Sequence, residues 1–89
     1  MMIETLKAML RNNNIEYNSE GKQGDMEYFF INRYNTHITI FQIEGILTVK
    51  VEVNRDEEGY ETVGNKNYKQ QKLVCNAYHY IRKYLGGLA

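Results

Sequence analysis

The clearest hydrophobic pattern in the chain is the segment HITIFQIEGILTVKVEV, from His37 to Val53. Two alternating runs of apolar and polar positions flank Glu44-Gly45. A two-residue turn with Gly where positive φ is needed marks a β-hairpin. The turn fixes the register. Ile43 faces Ile46, and Gln42, Ile40 and Ile38 face Leu47, Val49 and Val51. On the opposite face Phe41 meets Thr48, Thr39 meets Lys50 and His37 meets Glu52. One face is aliphatic and one mixed, and a slip of one residue would scramble both.

The flanking segments are read the same way. Met2 to Arg11 carries Met2, Ile3, Leu6, Met9 and Leu10 at helical spacing, and Asn12 to Asn14 end that helix. Ile15 and Tyr17 read as a short strand, and Asn18 to Asp25 as a loop with two glycines. MEYFFI, from Met26 to Ile31, is a third strand, followed by a turn at NRYN. Asn54 to Gly64 is a charged connection in which Tyr60 to Val63 pairs briefly, and Asn65 to Leu85 is a long helix. These elements predict a single α+β domain spanning 1–89. Its order is helix, three- to four-stranded antiparallel sheet, helix (α-β-β-β-α). Both helices are expected on the aliphatic face formed by Ile38, Ile40, Val49 and Val51, with the mixed face left open.

Composition adds constraints. At 89 residues, 43% hydrophobic and 25% charged, the chain has material for one modest core. The N-terminal segment contains Glu4 and no cleavage site, no run approaches membrane-span length, and Cys75 is the only cysteine. A cytoplasmic protein with no disulfide within the chain is expected.

Charge is balanced overall, with 11 basic and 11 acidic side chains, but polarised along the chain. Residues 65–89 carry +5 from Lys66, Lys69, Lys72, Arg82 and Lys83, whereas residues 1–64 carry −5. On a helical wheel Val74, Ala77, Tyr78, Ile81 and Leu85 form a core face. Lys69, Lys72, Asn76, His79 and Lys83 form the opposite stripe, flanked by Tyr68, Tyr80 and Tyr84. Cations in the first half of a helix oppose its dipole. The stripe is therefore expected to meet either an anionic partner or the chain's own acidic loop, Asp56, Glu57, Glu58 and Glu61. Its candidate partner-binding residues are Lys66, Tyr68, Lys69, Lys72, Asn76, His79, Tyr80 and Lys83. A second candidate surface is Phe41, Ile43 and Ile46 on the mixed sheet face, which could also join two copies as a homodimer.

No spacing in the sequence supports catalysis, a metal site or a cofactor. Cys75 and His79 are four apart, but His37 is remote and no second Cys exists; Cys75 reads as a core-edge residue. GKQG, from Gly21 to Gly24, is too short for a phosphate-binding loop. His37 opposite Glu52 reads as a surface cross-strand pair.

The order of elements, with His37 and Phe41 spaced as a loop histidine and a second-strand phenylalanine, and with Lys69 and Lys72 near the second helix, resembles the double-stranded RNA-binding domain. That likeness implies RNA binding through those lysines. In size and composition the chain also resembles small phage-encoded host-interaction and anti-defence proteins, such as anti-CRISPR proteins. That resemblance implies a non-enzymatic inhibitor that blocks a host nucleic-acid-handling protein, or a protein–nucleic acid complex, in the host cytoplasm. Direct RNA or DNA binding by the basic helix is the alternative.

Overall fold

A computed structural model describes residues 1–86. The chain runs α1 (Met2–Asn12), β1 (Asn18–Gln23), β2 (Met26–Arg33), β3 (Thr36–Ile43), β4 (Ile46–Asn54), β5 (Tyr60–Tyr68) and α2 (Val74–Tyr84). Short 3-10 turns at Asp56–Glu58 and Gln71–Leu73 precede β5 and α2. The five strands form one antiparallel sheet in the order β1-β2-β3-β4-β5, so every neighbour in sequence is a neighbour in space.

The α+β class and the element order stand as expected, with five strands instead of three to four. The β3–β4 hairpin has the expected register, from Ile43 opposite Ile46 to His37 opposite Glu52. Glu44 and Gly45 take φ of 50° and 78°, both in the left-handed region. That is the backbone a two-residue turn matched to the twist of its strands requires.

Helix α1 buries Met2, Ile3, Leu6 and Leu10 against the sheet. Its first residues supply no side-chain cap; instead Gln42 of β3 accepts the Ile3 N–H at 2.8 Å. The other end closes as a Schellman turn. Asn14, at φ 60°, donates its N–H to Arg11 O, and the buried Ile15 donates to Leu10 O at 2.9 Å. This is the role expected of the asparagines.

The core lies between the two helices and one sheet face. Phe29, Ile38, Ile40, Leu47, Val49 and Val51 are fully buried there, together with Val74, Ala77, Tyr78 and Ile81 from α2. Lys7 is also buried. Its Nζ donates to Glu20 at 2.9 Å and stands 3.6 Å from Glu4, which compensates a charge taken out of water.

Four local expectations are corrected. Ile15 and Tyr17 are not a strand; the strand is Asn18–Gln23, in the segment read as a loop. A bulge there sets Ser19 and Glu20 opposite the single Phe29 and breaks any alternation. The charged connection ends at Gly59, because β5 takes Tyr60–Tyr68. The last helix is half the expected length, since Asn65 to Tyr68 belong to β5 and the α-helix begins only at Val74. β5 is polar and lies at the sheet edge, where backbone pairing with β4 holds it and side-chain periodicity does not. Finally, Cys75 is exposed and does not lie at the core edge.

Candidate functional site: a basic concavity beside an aromatic sheet face

The shortened helix redistributes the basic stripe. Asn76, His79 and Lys83 remain on the exposed side of α2, opposite the buried Val74, Ala77, Tyr78 and Ile81. Lys66 and Tyr68 reach the same place from β5, and Tyr80 lies between. These six residues line one concavity of about 370 Å³. Six of the eight expected residues thus converge, although two of them come from a strand. Lys69 and Lys72 do not line it; they are exposed on the connection and on the 3-10 turn before α2. Tyr68 is buried on β5 and so does not flank a helical stripe.

A bulge in β5 lies beside this region. Val51 pairs with Gly64 and Glu52 with Thr62, which leaves Val63 as the extra residue. Tyr84 Oη donates to the freed Val63 carbonyl at 3.2 Å. Gly64 leaves the space that the phenol of Tyr80 occupies; a Cβ there would collide with the Tyr80 hydroxyl and stand 2.9 Å from that of Tyr84. The two rings meet edge to face at 5.2 Å. Burial and then the Tyr84 hydroxyl push the Tyr80 phenol up to about 12, and burial also raises that of Tyr68. Both stay protonated at neutral pH and can donate hydrogen bonds.

The cations rest on these rings. Lys66 Nζ lies 4.9 Å from the centre of Tyr80, and Lys83 Nζ 5.8 Å from that of Tyr84. Among the described residues, no carboxylate lies within ion-pair distance of Lys66, Lys69, Lys72 or Lys83. The acidic loop does not fold onto them. Its Glu61 pairs with Arg55 at 2.9 Å instead. None of the six lining residues is acidic, so the concavity offers cations, phenol donors, an amide and an imidazole, a set suited to an anionic surface.

The second candidate surface lies on the other side of the sheet. Phe41 and Ile46 are half-buried and Ile43 is 41% exposed. Phe41 belongs to a larger patch than the sequence indicated. With Gln23, Met26, Tyr28, Phe30 and Thr39 it lines a depression of about 360 Å³, with Ile43 and Ile46 outside it. The missed residues Met26, Tyr28 and Phe30 alternate with Glu27, Phe29 and Ile31, so period two was present in that strand; apolar side chains on both faces concealed it. The aromatic row continues through His37, whose ring stacks on Phe30 at 5.4 Å, to Tyr60 at 6.1 Å. His37 is in register with Glu52 but hydrogen-bonds Asn32.

Among the described residues, no three His, Cys, Asp or Glu side chains gather to hold a metal ion, and no helix is long and apolar enough to cross a membrane. Compared with protein-family models, characterised proteins and solved structures, the chain matches none.

Proposed function

We propose that this chain is a non-enzymatic binding protein that uses the concavity between β5 and α2 to engage an acidic surface of another protein. The observation that carries this reading is the convergence of Lys66, His79 and Lys83 with Tyr80 around one hollow, with the lysines free of carboxylate partners among the described residues. A cation beside an aromatic ring is the composition of an interface hot spot.

Charge separates this reading from direct nucleic-acid binding. Nucleic-acid-binding domains are generally strongly basic, because phosphate neutralisation supplies most of their affinity. This chain has zero net charge and a pI near 6.7. A local basic hollow on a neutral molecule favours a local acidic patch over a long polyanion. The size and composition shared with small phage-encoded inhibitors supply the biological setting: a blocker of a host nucleic-acid-handling protein, acting in the cytoplasm of the host cell.

The test is a pull-down from bacterial lysate with wild type, Lys66→Glu/Lys83→Glu and Lys69→Glu/Lys72→Glu. The first variant is expected to lose the captured protein and the second to keep it. Retention of every partner by the first variant would overturn the reading. Salt-sensitive shifting of purified RNA or DNA by wild type, abolished in the first variant, would favour the nucleic-acid alternative.

A further inference from the structure

We propose that the open face of the sheet is an interface between two copies of this chain, related by a two-fold axis running along the strands between β2 and β3. The face is open because both helices lie on the other side. Along it, Met26, Tyr28, Phe30 and Phe41 are half-buried and border one depression, and every residue lining that depression is uncharged.

Three observations choose a second copy as the occupant. The first is charge. A two-fold interface sets a patch against itself, so it must carry no uncompensated like charge. The uncharged aromatic patch satisfies this, whereas the basic concavity on the helix side does not. An acidic or basic foreign surface would find no counter-charge in the depression.

The second is register. Tyr28 pairs with Phe41, and Phe30 with Thr39, across β2 and β3. The proposed axis lays each member of such a pair over the other member in the second copy. Tyr28 comes to rest on Phe41 of the second copy, and Phe41 on its Tyr28. Sheets packed face to face at about 10 Å interdigitate such rows.

The third is area. With the axis between β2 and β3, the four strands β1 to β4 overlap; spaced about 4.8 Å apart, with central strands of 8 residues rising about 3.3 Å each, they give a shared face of about 400–500 Å². Two copies would bury about 800–1,000 Å², the size of a weak, reversible interface. The expected dimer is therefore concentration-dependent. It leaves the basic concavity uncovered, so this inference stands apart from the function proposed above.

Sedimentation velocity from low to high micromolar protein tests it. Wild type is expected to move from monomer to dimer. Tyr28→Lys and Phe41→Asp should each be monomeric at the highest concentration, with circular dichroism confirming that both are folded. An equimolar mixture of the two should dimerise again, because the mixed pair joins Lys to Asp at one contact and keeps Phe41 against Tyr28 at the other. Lys66→Glu/Lys83→Glu should dimerise as wild type does. Wild type that remains monomeric throughout overturns the proposal. So do folded single variants that still dimerise, or a mixture that does not recover. A foreign protein captured by monomeric wild type and lost in Phe41→Asp would assign the face elsewhere and equally overturn it.

Discussion

Phe29 and Phe30 are adjacent in sequence and occupy different worlds. Phe29 is fully buried under α1, with the Tyr17 ring 4.8 Å away and the Lys7 ammonium 5.8 Å above its own ring. Phe30 lies half-buried on the open face, between Tyr28 and His37. The same contrast runs through the whole sheet. One face is sealed by helices and holds Ile38, Ile40, Val49 and Val51; the other keeps aromatic, amide and hydroxyl groups, with Lys50 and Glu52 on β4, in contact with water. Strand propensity is alike on both sides, because aromatic and β-branched residues suit strands wherever they point. The difference between the faces is therefore a difference in what covers them.

The most direct way to break the comparison is to truncate each phenylalanine. Phe29→Ala is expected to cost about 3–5 kcal/mol, since it opens a cavity in a sealed core. Phe30→Ala should cost about 1–2 kcal/mol, from lost partial burial alone. Urea denaturation of the two variants measures the gap, and equal losses would mean the open face is sealed as well.

A smaller loss is expected where β5 meets the helix. Gly64→Ala should cost about 1–3 kcal/mol by overpacking against Tyr80 and Tyr84. Adding Tyr80→Phe should recover part of it, which a double-mutant cycle would register as coupling. Additive losses would show that the phenol is not what fills the space above Gly64. Next, Gln42→Leu removes the acceptor of the Ile3 N–H. Leaving that buried donor unpaired is expected to cost about 1–2 kcal/mol, read as a lower urea midpoint. The same change in the exposed Gln23 should leave the midpoint unmoved.

The covered side also carries the alkaline limit of the fold. For Lys7, burial favours the neutral amine, but the Glu20 hydrogen bond and the charges of Glu4 and Glu20 outweigh it and raise the group above its ordinary 10.5. Tyr80 rises from 10 to about 12. Both folded-state values exceed the unfolded ones, so the folded state binds more protons in this window. Their contribution is intact at neutral pH, begins to fall near pH 10 and is lost as pH passes the raised values. Stability against urea should decline between pH 10 and 12, in step with tyrosinate absorbance. Glu20→Gln should flatten the Lys7 part of that decline. The smallest expected effect is on the concavity itself. Lys66→Glu/Lys83→Glu should leave the melting temperature unchanged while abolishing partner capture.

What the sequence made legible follows the same division. The β3–β4 hairpin was readable because alternation, a Glu-Gly turn and one buried face all specify one register. Helix α1 was readable from its apolar spacing and its asparagine stop. β1 was not, and of β5 only the pairing around Tyr60 to Val63 was, because edge strands can be polar and both carry bulges that break period two. Starting the helix at Asn65 then placed Lys69 and Lys72 in a stripe they do not join. The concavity survived that error because Lys66 and Tyr68 return to Asn76, His79 and Lys83 through space. No periodicity could reveal that a strand and a helix share these residues. The one local sign was Gly64, a glycine inside an otherwise extended stretch, where a bulge and a close side-chain approach belong together.

The strictly sequential strand order bears on how the chain finds its fold. Each strand can add to its predecessor through a short turn, so most of the sheet forms without closing a long loop, and such local topologies fold fast. The remaining long-range step brings α1 and α2 together, where Gln71 Nε2 donates to Thr5 Oγ1 at 2.9 Å across 66 residues of chain. During synthesis α1 emerges before α2 and meets it only once α2 has left the ribosome. Until then the aliphatic face waits with one of its two helices, and that interval is when the nascent chain is most open to a chaperone or to a neighbouring copy.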